Sequence, residues 1–267
     1  MSSRDKAEKH PRWWLRGIGL VVLLVISWTA AMLWLAPVQV VLDRLPAGED
    51  VSVQSLEGNL FRGVLRLQAR DVMIDRLHYR LRPASLLTGR LGLDLVAEVE
   101  GGRAQARVAL SPAGAVEVRD LEGRLLADAP LAQQFAPFPL GGFFDLAIPE
   151  ARLVQAGIVS LAGTLRWEDA TLIAQEPVAL GRVDGDVTID AGTLVGAVRD
   201  NGTGVLAVAL DLEGHQPGVL KGSLRPRQGA PDWLAATLSM VGRPSPEGAF
   251  PIRQSFQVPV VSPESAD

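Results

Sequence analysis

For chemistry the chain offers three histidines, no cysteine, and serines and aspartates scattered along its length. Without cysteine there is no disulfide, no thiol nucleophile and no thiolate metal site. His10 lies among N-terminal basic residues, His78 on the polar face of an alternating segment, and His215 in a Glu-Gly-His-Gln-Pro-Gly turn. No two of them have a ligand spacing such as His-x-x-x-His, so the pattern gives no zinc site. There is no Gly-x-Ser-x-Gly elbow, and Ser111, Ser160 and Ser223 sit in ordinary turn or strand contexts. Asp184, Asp186 and Asp190 around Gly185 outline part of a calcium loop, but the terminal glutamate of the frame is missing and the flanking alternation predicts a hairpin. Gly141-Gly142 and Gly202-Thr203-Gly204 neither open a helix nor precede Gly-Lys-Ser/Thr, so they are not phosphate loops. Asn201-Gly202-Thr203 fits a glycosylation acceptor, although a type I′ turn already accounts for the Asn-Gly pair. No catalytic, cofactor-binding or metal-binding residue is assigned from the sequence.

The elements that would have to position any site are strands. Leu65, Leu67 and Ala69 alternate with Arg66, Gln68 and Arg70, and Leu77, Tyr79 and Leu81 alternate with His78, Arg80 and Arg82. This is the period of a strand with one buried face. Leu91, Leu93, Leu95, Ala97 and Val99 then face Ala104, Ala106, Val108 and Leu110 across Gly101-Gly102, which predicts a hairpin over Leu91 to Leu110. Seven further strands are expected at Phe144 to Ile148, Ala151 to Val154, Val159 to Trp167, Val183 to Asp190, Leu194 to Val198, Val205 to Leu212 and Val219 to Arg225. Asp184-Gly185, Asn201-Gly202, Ala191-Gly192 and Glu213-Gly214 are turn pairs, so successive strands should be sequence neighbours in an antiparallel meander. Trp167 shares parity with Val159, Leu161 and Leu165, which places it on the buried face.

Two helices are expected. Asp128 can cap a short one with Pro130 in its first turn, ending near Phe135. A clearer one runs from Trp233 to Val241, with Asp232 as N-cap and Gly242 and Pro244 ending it. It would cover an open edge or end of the sheet. The Pro/Gly cluster over residues 127–142 marks either a break between two halves or a long loop within one sheet.

Ahead of all this stands Gly17 to Ala36, twenty residues without a charge, long enough as a helix to cross a bilayer. Residues 1–16 carry five basic and two acidic side chains, a net of +3, which puts them in the cytoplasm and the rest of the chain outside it. Trp13, Trp14 and Trp34 fall at the ends of the run, as interface anchors do. A cleaved signal peptide would have a shorter apolar core and small residues before the cut, whereas a cut after Ala36 puts Trp34 at −3 and Pro37 at +1. The expected organisation is a cytoplasmic segment 1–16, a transmembrane helix 17–36, an all-β exported domain 37–258 and a disordered tail 259–267. The domain is expected as an antiparallel meander forming a curved sheet, open barrel or sandwich with one or two short helices. Beyond residue 16 there are 21 basic against 28 acidic side chains, which argues against nucleic acid or an anionic lipid surface as partner.

Gly58-Asn59-Leu60-Phe61-Arg62-Gly63, followed by Leu77 to Arg82 and Pro83-Ala84-Ser85-Leu86-Leu87-Thr88-Gly89-Arg90-Leu91, resembles the general secretion pathway protein N family of the bacterial type II secretion system. Gly163-Thr164-Leu165-Arg166-Trp167, Leu180-Gly181, Leu224-Arg225-Pro226-Arg227 and Trp233 to Gly242 follow in that family's order. Phe61 and Tyr79 stand where its pattern has tryptophan, and Val241 where it has leucine. The resemblance implies a single-pass inner-membrane protein, not an enzyme, without cofactor or small-molecule substrate. Its periplasmic domain would support export of folded proteins across the outer membrane by contact with other secretion components. Oligomeric state is left open. Two other readings compete. An AsmA-like lipid carrier would leave an uncovered groove of Leu and Val, where a plain core would be closed by Trp233 and Leu238. A periplasmic hydrolase would need a convergent acid, base and nucleophile.

Overall fold

The computed structural model describes residues 51–69, 72–133, 139–173, 176–214 and 218–256. Its strands are β1 (Val51–Asn59), β2 (Arg62–Ala69), β3 (Val72–Arg82), β4 (Leu91–Val99), β5 (Gly102–Leu110), β6 (Val116–Leu126), β7 (Leu140–Val154), β8 (Gly157–Ile173), β9 (Pro177–Asp190), β10 (Thr193–Asp200), β11 (Leu206–Gly214), β12 (Gly218–Pro226) and β13 (Phe250–Phe256). Each pairs antiparallel with its sequence neighbour, giving one sheet in the order β1 to β13. The first and last strands do not pair, so the sheet is open, and the expected all-β meander takes that form. Among the described residues three short helices accompany it: α1 (Pro83–Leu86), α2 (Pro130–Gln133) and α3 (Asp232–Val241). Gly17 to Ala36 lies outside the described residues, and among those described no helix is long and apolar enough to cross a membrane.

Register carries the alternation across the whole sheet. Leu56 on β1 pairs with Leu65, which continues through Leu77, Ala97, Ala104 and Gly123 on β2 to β6. The same row runs on through Leu146, Leu165, Gly185, Val198, Leu210, Gly222 and Ile252 on β7 to β13. Not one of these positions is polar. Side chains one residue along point to the other face, and there Arg76, Glu98, Arg103 and Arg124 align with Asp145, Arg166, Asp184 and Arg199 on β3 to β10. Ion pairs at 3.8 Å (Arg76–Glu98), 3.2 Å (Arg124–Asp145) and 3.0 Å (Arg166–Asp184) run along this charged row. A one-residue slip of any strand would bury charges and expose leucines, which fixes the register.

The apolar face is covered unevenly. Over the C-terminal strands α3 lays Leu234 and Leu238 onto Leu180, Val183, Leu206 and Phe250, with Trp167, Leu224 and Trp233 packed around them. A smaller cluster centres on Ile189 and Leu194. Among the described residues, α2 borders the N-terminal part of the same face through Ala132, and Leu146 and Leu165 remain 37% and 43% exposed.

Several local expectations change. Asp184-Gly185 is not a turn: it lies inside β9 with partners on both sides, Asp184 opposite Arg166 and Arg199. The β9–β10 turn is made by Ala191 and Gly192, whose φ values of 47° and 80° are those of a type I′ turn. At Asn201-Gly202 only Gly202 has positive φ, and the loop runs through residues 201–205 because Asp200 draws it inward (below). The β4–β5 turn uses Glu100 and Gly101, with Gly102 already in β5. The segments 144–148 and 151–154 are one strand, β7, in which Pro149 sits at a register shift between Ala147 and Glu150. A proline without its N–H is tolerated at such a bulge, where the ladder is already interrupted. The short helix has Pro130 in its first turn as expected but begins there, one residue later than a cap at Asp128 implies, and its expected end at Phe135 falls outside the described residues. In α3 the N-cap is Pro231, extended at ψ 147°, and Asp232 occupies the first turn, where its charge still meets the helix dipole. Gly242 is extended, with φ of −179°.

Candidate functional site

The residues considered for chemistry do not converge. His78 is exposed on the charged face of β3, opposite Val64 and Val96. His10 and His215 lie outside the described residues. The Ser111 hydroxyl accepts the Ala115 N–H at 3.0 Å, a turn contact, and Ser160 and Ser223 are strand residues of β8 and β12. Asp184 is held by Arg166 (3.0 Å) and Arg182 (2.9 Å). Among the described residues no three His, Asp or Glu side chains are grouped as a metal site would need.

What the sequence motifs build instead is backbone geometry. In the first, the Asn59 side-chain oxygen accepts the N–H groups of Phe61 and Arg62, each at 3.0 Å, closing the β1–β2 turn. The Tyr79 hydroxyl donates to the Asn59 carbonyl at 2.6 Å, and its ring occupies the space over Gly63, where a Cβ would come within 2.6 Å of the hydroxyl oxygen. Burial raises the Tyr79 phenol above its ordinary pKa. In the second motif Ser85 Oγ donates to the Arg82 carbonyl (2.6 Å) and accepts the Gly92 N–H (2.8 Å), tying α1 to β4. Trp167 is half-buried, its indole donating to the Gly141 carbonyl at 2.9 Å and its ring 5.3 Å from Phe144. Its parity is as expected. Its burial is partial because α3 covers only one end of the face.

One polar cluster escaped the sequence reading. Asp200, its side chain 6% exposed, pairs with Arg227 at 2.7 Å and accepts the N–H groups of Gly202 (2.8 Å) and Val208 (2.7 Å). Arg227 also donates to the Gly204 carbonyl at 2.9 Å. Burial would raise the Asp200 pKa, but the Arg227 bond, the two backbone N–H groups and the Arg227 charge outweigh it and hold the carboxyl below its ordinary value. All its oxygens are committed inward, which makes it a structural clamp on the β10–β11 loop. Only the spacing of Asp200 before Asn-Gly hinted at it, as a residue able to fold its own turn.

A groove of about 570 Å³ with room for a ligand crosses β3 to β8 on the apolar face. Its floor is made of small residues on adjacent strands, Ala97, Ala104 and Gly123, and larger ones rise around it, among them Val99, Leu125, Phe144 and Leu146. A Cβ on Gly123 would meet that of Ala104 at 3.2 Å, so the floor is close-packed below the opening.

The stretch that holds these turns and strands is similar to known proteins. The model of the family described as "Type II secretion system (T2SS), protein N" matches residues 49–253, which takes in nearly all of the sheet. The chain belongs to this family. The protein named "Type II secretion system protein N" of Aeromonas hydrophila is 25% identical over 250 residues, covering 90% of this chain and 98% of its own length. The protein of the same name from Klebsiella pneumoniae is 31% identical over 150 residues, covering 49% and 56%. No solved structure matches the chain. The matched residues of this protein N family member include both turn motifs, the Trp167 strand and the Arg227 clamp.

Proposed function

We propose that the chain is an accessory component of the type II secretion system, held in the inner membrane by one helix and acting in the periplasm by contact with other proteins of the machine. The match to the family over residues 49–253 carries this reading. In support, Gly17 to Ala36 is uncharged and long enough to span a bilayer, and the +3 segment before it favours a cytoplasmic N-terminus. Residues 37–258 are then periplasmic, following a cytoplasmic stub of sixteen residues and the membrane helix and followed by a tail from 259 onward. The clamp, the turns and the charged row each have a structural role, and no acid, base and nucleophile come together among the described residues to suggest catalysis. Copurification of the tagged full chain in mild detergent tests the proposal. Other type II secretion proteins should come with it in stoichiometric amounts, and their absence under conditions that keep the rest of the machine assembled would count against a binding role.

A further inference from the structure

We infer that the groove across β3 to β8 holds one acyl chain of a membrane phospholipid. The inference rests on the anchored topology proposed above. The groove crosses six strands, about 24 Å at the usual ~4.8 Å spacing. The groove is open on one side, and its lining is almost wholly apolar. An extended peptide would bring an N–H and a carbonyl at every residue, and the side chains that face in, such as Ala97, Ala104, Leu125, Phe144 and Leu165, offer them no partner. Arg103 and Arg124 also border the groove, and by register they belong to the charged row of the opposite face. A hydrocarbon chain needs no hydrogen bonds, and the ~30 Å core of a bilayer is two such chains thick, so one of them, about 15 Å, fits within the groove.

The source follows from the length of chain before the sheet. Fourteen residues separate Ala36 from Val51, and at most ~3.6 Å each they keep the start of β1 within about 50 Å of the end of the apolar stretch. Among the described residues, the open part of the apolar face lies on β3 to β8, on the N-terminal side of the part that α3 covers. A lipid leaving the bilayer meets the uncovered half first.

Photocrosslinking in intact cells decides it. Benzoylphenylalanine is placed in the full chain at position 146, where Leu146 faces the groove, and at position 147, where Ala147 faces the charged side of the same strand. Irradiation should add the mass of a single phospholipid to the first protein and about tenfold less of it to the second. Ala104→Phe, which fills the floor, should remove the adduct from the first. The neighbouring pair stands independently of whether that variant folds. Equal yields at both positions, an adduct with a protein, or no adduct in protein recovered from the membrane fraction would overturn the groove assignment while leaving the anchor intact. Recovery of the protein in the soluble periplasmic fraction would overturn the anchor and the groove assignment with it.

Discussion

Asp200 stands at the end of β10 with its carboxylate turned away from water and three donors aimed at it. A carboxyl whose folded pKa lies below its unfolded value of about 3.9 stabilises the fold above that pH, and the stabilisation is lost as pH falls through the lower folded value. Asp200→Ala should therefore cost about 2–3 kcal/mol near neutrality, since it strands Arg227 and two backbone N–H groups. The gap between wild type and Asp200→Asn should shrink as thermal melts of the full chain are taken at pH below about 4. A gap that stays constant, or widens, would mean the carboxylate is not what holds the loop. Trp167→Ala should cost about 3 kcal/mol, at the lower end of large aromatic truncations because the ring is only half-buried. Denaturant midpoints check this, and a loss under about 1 kcal/mol would place the indole free on the surface.

At the scale of elements, the sequence was readable wherever one face alternated without interruption. The hairpin of β4 and β5 is a clear case, with leucines and alanines paired directly across it. Strand β6 went unread because its phase slips: Val116 and Val118 share a face, then Asp120, at φ 47°, forms a bulge, and Leu121, Gly123 and Leu125 continue one residue out of step. A bulge inserts one residue and inverts the parity beyond it. The glycine at its centre shows no apolar signal, although Gly123 lies in the apolar row. Strand β13 was missed because Pro251 and Arg253 mask its pattern, and both are compatible with an edge strand. The Asp184-Gly185 pair misled in the opposite sense, since a dipeptide favouring turns is overridden when both neighbours offer a full ladder and an arginine. Of the candidate site, the composition disclosed that no cysteine chemistry was on offer, but the groove depends on pairing small residues from three strands, which no local window displays. The cover at the other end was legible as an amphipathic helix. Leu238→Ala on α3 should cost about 2–5 kcal/mol, because Leu238 is buried against the sheet and the void cannot be refilled from one helix. Thermal melting would show it, and an unchanged midpoint would mean that α3 is not docked.

The described residues form one open sheet with a charged face and an apolar face, and a helix covers the C-terminal part of the apolar face. A sheet built from sequence neighbours buries few side chains completely, and Ile189 is the one large residue of those described that falls below 2% exposure. Such a sheet depends on its ladders, its caps and whatever covers its open face. The proposed position at the inner membrane makes a definite claim about processing. The intact mass of the mature protein should include residues 17–36, and a product beginning after Ala31 would show that the stretch is a cleaved leader. The role in secretion is tested most directly by removing the chain and following one folded substrate of the type II pathway in the same cells. Without the chain the substrate should accumulate in the periplasm and fall in the medium, and the full chain supplied in trans should restore export. Undiminished export in its absence, with the remaining secretion components present at normal levels, would contradict an accessory role in the machine.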